Sequence, residues 1–447
     1  MKTPIIDFLN EYKKRDTVRF HMPGHKGKKL MGCEAYDITE ISGADVLYSA
    51  NGIIKESEEN ASGLFSTLST FYSCEGSTLS IKAMLKLATD KDRCSERSPL
   101  ILAGRNAHKS FISACALIGI DVKWIYPSER EHISVCKITP NRVNDELSSM
   151  ERLPSAVYVT SPDYLGNILD VKGIADVCKS HGVPLLVDNA HGAYLNFLTP
   201  SRHPISEGAA MCTDSAHKTL PCLTGGAYLH ISKDYPEYKD GASLALSLFA
   251  STSPSYLILR SLDNLNAILS DNYSGRLSKI ISKTDGIKGK ITNLGIDVIE
   301  TEPLKITFSP LSFGYTGEEL SEYLRQNRIE AEFADREYTV LMVTPENTPR
   351  ELEYLYKTLT RLDRRKPKTP SLNHSLSAAK QVMTVRDAVF SPHEIIDIHS
   401  AVGRICATPC VSCPPAIPIA VCGEEITDDI MRILDGYGIR EIEVVIK

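Results

Sequence analysis

Between about Ser69 and Ile231, short apolar runs alternate with amphipathic stretches. The segment from Ala156 to Asp188 is the clearest instance. Ala156–Thr160 is a valine-bearing apolar run of strand length. Val171, Ile174, Ala175 and Cys178 then recur at helical spacing, and Gly182 is placed to end that helix. Pro184–Val187 follows as a second buried strand. A strand, a crossover helix and a second strand within about 30 residues form a βαβ unit, whose strands run parallel. The same order recurs in Pro99–Ala103, a helix over Lys109–Ile118, Gly119 and Val122–Tyr126. The pattern predicts an α/β fold with a mostly parallel central sheet and helices on both faces.

The flanks differ. The chain opens on a helix that Thr3 can cap, with Pro4 in its first turn and Ile5, Ile6 and Leu9 on one face. RFHMPGHKGKK (19–29) then reads as an irregular arm. After about residue 286, strands near Ile306–Phe308, Ile329–Phe333 and Thr339–Val343 and helices near Glu318–Asn327 and Thr348–Leu362 suggest a smaller α+β domain. RRKPKTPS (364–371) suits a linker. The expected division is an N-terminal helix and arm (1–40), a large domain (41–285), a small α+β domain (286–368) and a C-terminal segment (369–447).

Size and charge narrow the class. The 447 residues carry a net charge of −6, which lacks the concentrated basic face of a nucleic-acid binder. No apolar run approaches the roughly 18 residues of a membrane helix. Asp7, Asn10 and Glu11 interrupt any leader-like stretch at the N-terminus, so a cytoplasmic protein is expected. The twelve cysteines are scattered mostly singly in apolar segments, as reduced core thiols would be.

Three features carry candidate chemistry, because ligands of open α/β sheets sit beyond the carboxyl ends of the strands. Phe71-Tyr72-Ser73 leads into Gly76-Ser77-Thr78 and a helix marked by Ile81, Met84, Leu85 and Ala88. Backbone N–H groups and two hydroxyls at that helix start would hold a phosphate, although Gly-Ser-Thr is also a common cap. Asp188 ends a buried strand and needs a partner, either a helix N-terminus or arginine, or a protonated pyridinium nitrogen. Lys218, in Ser215-Ala216-His217-Lys218, falls in a turn between buried strands. Desolvation there would lower its pKa and free the amine to attack a carbonyl, unless it forms a structural salt bridge.

The order of phosphate cup, carboxylate and lysine on successive strand ends leads to a family. The chain resembles the ornithine/lysine/arginine decarboxylases, pyridoxal-phosphate enzymes of the aspartate-aminotransferase fold (fold type I). The resemblance rests on RFHMPGHKG (19–27), EGSTLSI (75–81), RNAHKS (105–110), TSPDYLGN (160–167), VDNAHGAY (187–194), SAHKTLP (215–221), STSPSYLILRSLD (251–263), AVGRI (401–405) and CPPAIPIAVCGEEI (413–426). It implies that Lys218 holds pyridoxal 5'-phosphate as a Schiff base and that Asp188 pairs with the ring nitrogen. It implies further that His108 stacks on the ring and that His217 can donate a proton. Ser77, Thr78 and Ser215 would bind the phosphate, with Thr252 and Ser253 reaching the phosphate of a neighbouring subunit in a homodimer. His191 would contact cofactor or substrate. His21 and His25 lie on the arm and are expected to be exposed.

The implied reaction is decarboxylation of arginine, lysine or ornithine to the amine, as in polyamine biosynthesis. An aminotransferase, a cysteine-desulfurase-like enzyme and a non-catalytic regulatory paralogue are the alternatives. Asn189 and Tyr194 stand where many relatives have Glu and His, and the large N-terminal wing domain of the longest members has no counterpart here. Both departures bear on substrate choice more than on Lys218 or Asp188. Cys406, Cys410 and Cys413 have the spacing of an iron–sulfur motif but no obvious fourth partner beyond Cys422, and no metal is expected.

Overall fold

The computed structural model describes residues 1–127, 132–370, 378–412 and 417–446. Its main sheet has seven strands: β1 (Ser69–Ser73), β2 (Leu100–Gly104), β3 (Asp121–Ile125), β4 (Ala156–Thr160), β5 (Leu185–Asp188), β6 (Met211–Asp214) and β7 (Ala227–Ile231). Their order is β1-β7-β6-β5-β4-β2-β3. β5 runs parallel to β6 and β2 parallel to β3, while β7 is antiparallel to both of its neighbours. β1 and β6 flank β7 and therefore point the same way, so their carboxyl ends lie at one edge of the sheet.

The chain divides into two compact units, one made of 1–97, 155–157 and 171–274 and the other of 98–154, 158–170 and 275–447. The first contains helices α1 (Pro4–Lys14), α2 (Ile53–Leu64) and α3 (Gly76–Cys94). α1 forms as expected, but Thr3 makes no side-chain cap; its hydroxyl donates to Asp7 Oδ1 at 3.3 Å. Asp263 anchors this end of the unit. Its carboxylate, fully buried, accepts from the Ile6 amide (3.0 Å) and from Ser57 Oγ (2.6 Å). The arm after α1 is irregular, with Phe20 93% exposed, yet both of its histidines have partners: His25 Nε2 meets Asp37 Oδ2 at 3.1 Å and His21 Nε2 meets the Tyr12 hydroxyl at 2.7 Å.

The second unit contains α4 (Lys109–Ile118), whose bounds match the expectation, and a four-stranded antiparallel sheet of β8 (Asp297–Ile299), β9 (Lys305–Ser309), β10 (Phe333–Ala334) and β11 (Thr339–Met342). The strand expected over Ile329–Phe333 is thus confined to its last residue and the one after it. Residues 329–332 stay irregular, because polar Glu330 and Glu332 break the apolar run and only Phe333 enters the core. Farther on, the Arg105 guanidinium is enclosed by the last segment, donating to the carbonyls of Pro418 (2.7 Å) and Ile419 (3.1 Å) and to Glu424 Oε2 (3.1 Å). No described helix is long and apolar enough to cross a membrane.

Candidate active site

Lys218 lies not in an open turn but in a one-turn helix, α5 (Ala216–Thr219), which follows β6 directly. Ala216 and Thr219 face the interior, leaving His217 and Lys218 half-buried. Lys218 Nζ lies 3.1 Å from His191 Nε2. His191 reaches this point because β5 ends at Asp188 and the chain turns at once, the Gly192 amide donating to the Asn189 carbonyl (2.8 Å). Asp188 is 2% exposed, pairs in register with Thr213 and accepts from the Ala190 amide at 3.1 Å. The carboxylate and the lysine therefore leave parallel neighbours at the same sheet edge, the usual place for an α/β ligand site.

The turn expected to hold a phosphate lies at that edge too. Ser215 Oγ donates to Ser77 Oγ at 2.8 Å, drawing the turn after β6 to the start of α3. Gly76 opens α3 with φ of +71°, and a Cβ built there would meet nothing within 4 Å. Gly225, with φ of +99°, is different: its carbonyl accepts from the Gly76 amide, and a Cβ would come within 2.8 Å of the Cys74 carbonyl. The close approach of these turns needs glycine. Open space at Gly76, hydroxyls at Ser77, Thr78 and Ser215 and first-turn amides suit a phosphate. A buried carboxylate suits a ring nitrogen and an amine beside an imidazole suits an aldehyde, so the residues present fit pyridoxal phosphate.

His217 shares this environment. Its Nδ1 donates to the Gly226 carbonyl at 2.9 Å. Burial pushes its pKa below the ordinary imidazole range, and the Lys218 charge pushes the same way while the Gly226 bond opposes. The ring is then neutral at neutral pH, with Nε2 as its basic nitrogen. Thr252 and Ser253 are exposed on the loop before helix Tyr256–Ser270; the neighbouring Ser251 amide donates to Glu75 Oε1 at 2.7 Å. His108 belongs to the other unit, where it is the N-cap of α4 and accepts from the Ser110 amide at 3.2 Å. Cys413 lies outside the described residues, while Cys406 and Cys422 are buried thiols.

Sequence reasoning missed one constellation beside Lys218. Asp214, the last residue of β6, is fully buried with His203 and His230. Its Oδ2 accepts from His203 Nε2 (3.0 Å) and His230 Nε2 (3.2 Å), and its Oδ1 accepts from Asn189 Nδ2 (2.7 Å). Burial pushes the carboxyl up, but the two histidines outweigh that and hold it well below the usual carboxylate range. An Asp closing an apolar strand is the signal that singled out Asp188 and could have flagged Asp214 as well. Its partners, 11, 16 and 25 residues away, could not be paired from sequence.

A family model described as the major domain of Orn/Lys/Arg decarboxylases matches residues 3–307. The Bacillus subtilis protein YaaO is 30% identical, the match covering 96% of this chain and 93% of that protein. An arginine decarboxylase of Halalkalibacterium halodurans is 29% identical over 96% of this chain and 91% of its own length. Among solved structures, the Francisella novicida lysine decarboxylase LdcF shares the fold with a TM-score of 0.83 at 18% identity, over 99% of this chain and 81% of that one.

Proposed function

Because the chain belongs to the Orn/Lys/Arg decarboxylase family, whose members are pyridoxal-phosphate-dependent amino-acid decarboxylases, we propose that it decarboxylates a basic amino acid, arginine foremost, to the corresponding amine. The observation that carries this reading is the Lys218 amine 3.1 Å from His191, at the strand edge that also bears Asp188. Arginine is placed first because full-length relatives carry that activity in their names.

Bound pyridoxal phosphate supplies an electron sink for the carbon–carboxylate bond. Each residue then has a part. Lys218 would hold the cofactor covalently, and its amine would be the group that returns a proton to the substrate carbon. His191 orients Lys218 through the 3.1 Å contact between its Nε2 and the lysine Nζ. Asp188, itself 2% exposed, would hold a proton on the ring nitrogen, a preorganised charge. Ser77, Thr78 and Ser215 bind the phosphate, and His217 keeps α5 in place through its bond to the Gly226 carbonyl. His108 would stack on the ring in the role the resemblance gives it. Exposed Thr252 and Ser253 reach the phosphate of a second copy, which makes a homodimer the working form.

The test is carbon dioxide release from purified holoenzyme with a panel of amino acids. Arginine, lysine or ornithine should stand out by at least tenfold over neutral and acidic amino acids. Keto-acid or sulfide production without carbon dioxide would replace this reading with one of the other reactions of the fold.

A further inference from the structure

The carboxylate of Asp214 joins pieces of backbone that the cofactor needs held together. Toward the sheet edge it accepts from Asn189, the residue after Asp188, so that the ends of β5 and β6 are tied by a side-chain bridge of 2.7 Å as well as by the Asn189 amide, which donates to the Thr213 carbonyl at 3.0 Å. Behind, His230 on β7 carries the chain of bonds onward: its Nδ1 lies 2.8 Å from Thr70 Oγ1 on β1, and that hydroxyl meets Thr67 Oγ1 at 2.9 Å. One polar chain thus crosses β5, β6, β7 and β1. Three of these strands run into Asp188, Lys218 and the Ser77 turn. Phe65 closes the inner side, its ring 5.4 Å from that of His203 and 4.6 Å from that of His230. Asp214, His203 and His230 are fully buried, and hydrogen bonds to a charged group in such surroundings are both strong and directional.

The hydrogen-bond pattern is constrained. Both Nε2 atoms must carry hydrogen to donate to Asp214. His203 Nδ1 has no partner among the described residues. Asn189 turns its amide N–H to Asp214 and leaves its buried Oδ1 without a partner among the described residues. The amide is therefore oriented by Asp214 alone. A loss of that bond frees the side chain of the residue after Asp188 and leaves the end of β5 tied to β6 there by the Asn189 amide alone.

Resting on the assignment of Lys218 and Asp188 to the cofactor, we propose that Asp214 is a positioning residue. Gripped from behind by His203 and His230, it locks Asn189 and thereby fixes the ring-nitrogen carboxylate and the lysine relative to one another. Misplacement of reacting groups by about 1 Å can lower a rate a hundredfold, so a small relaxation of this bridge is enough to matter.

The experiment uses the full chain. Apo-protein is titrated with pyridoxal phosphate, and kcat and KM are measured for the best amino acid. Asn189→Ala removes the bridge but keeps the His–Asp–His grip, so its thermal midpoint should stay near that of the wild type. We expect its cofactor affinity and its kcat each to fall at least tenfold, with KM changed less than threefold. His203→Gln, which keeps an N–H donor, should retain more cofactor affinity than His203→Ala. Wild-type cofactor affinity and kcat in both Asn189→Ala and His203→Ala, whatever their melting behaviour, would overturn the proposal. A wild-type chain that takes up no pyridoxal phosphate overturns the reading of the site as well, and that outcome is seen before any variant is made.

Discussion

Replacing Glu58 by Gln should stabilise the protein, and increasingly so as pH rises. Glu58 sits on α2, 3% exposed, with Oε1 accepting from the Tyr72 amide of β1 at 3.0 Å. Burial raises its carboxyl pKa from 4.5 to about 8, the Tyr72 bond and the Lys55 charge opposing only in part. Below pH 4.5 the group is protonated folded or unfolded and has no net effect. Between 4.5 and about 8 the unfolded chain loses the proton while the folded one keeps it, so stability declines; above that the loss is complete. At about 1.4 kcal/mol per pH unit the interval corresponds to at most about 5 kcal/mol, and relaxation around the ionised group lowers the expected effect to about 2–4 kcal/mol. Gln keeps the acceptor for Tyr72 and does not titrate. Thermal midpoints of the two proteins should nearly coincide at pH 5 and separate by pH 8.5, with the variant higher. A separation that stays constant, or that favours Glu58 at high pH, would refute the argument.

Lys218→Ala should remove carbon dioxide release to below about a thousandth of the wild-type rate and abolish the borohydride-trapped cofactor adduct; wild-type turnover in that variant would sink the mechanism. Asp188→Asn should lower kcat about 10²–10³-fold, the range for losing one preorganised electrostatic partner, with a smaller change in KM. Arg105→Met leaves Glu424, 1% exposed, without its cation and should destabilise the protein by about 3–5 kcal/mol in denaturant titration. Adding Glu424→Met should recover part of that loss, whereas strictly additive damage would mean that the pair is not coupled.

Local periodicity was enough for the strand Ala156–Thr160 and the helix Lys109–Ile118, whose bounds the structure reproduces. Buried parallel strands and the helices between them announce themselves through runs of neighbouring side chains. The same logic placed Asp188 and Lys218 at strand ends and Ser77 and Thr78 at a helix start, and the motif resemblance added Ser215 to the expected phosphate site. It failed at Thr3, whose hydroxyl donates to Asp7 instead of accepting from a helix amide, and at residues 329–332, where glutamates interrupt the strand. What only the tertiary structure decided is who meets whom. Lys218 finds His191 across 27 residues, Ser215 finds Ser77 across 138, and Asp214 collects two histidines and an asparagine from three separate segments. The composition of each segment dictates that it be strand or helix, because that depends on nearest neighbours. Pairing between buried polar groups depends on sheet order and register, which bring together strand ends whose spacing along the chain carries no trace of the meeting.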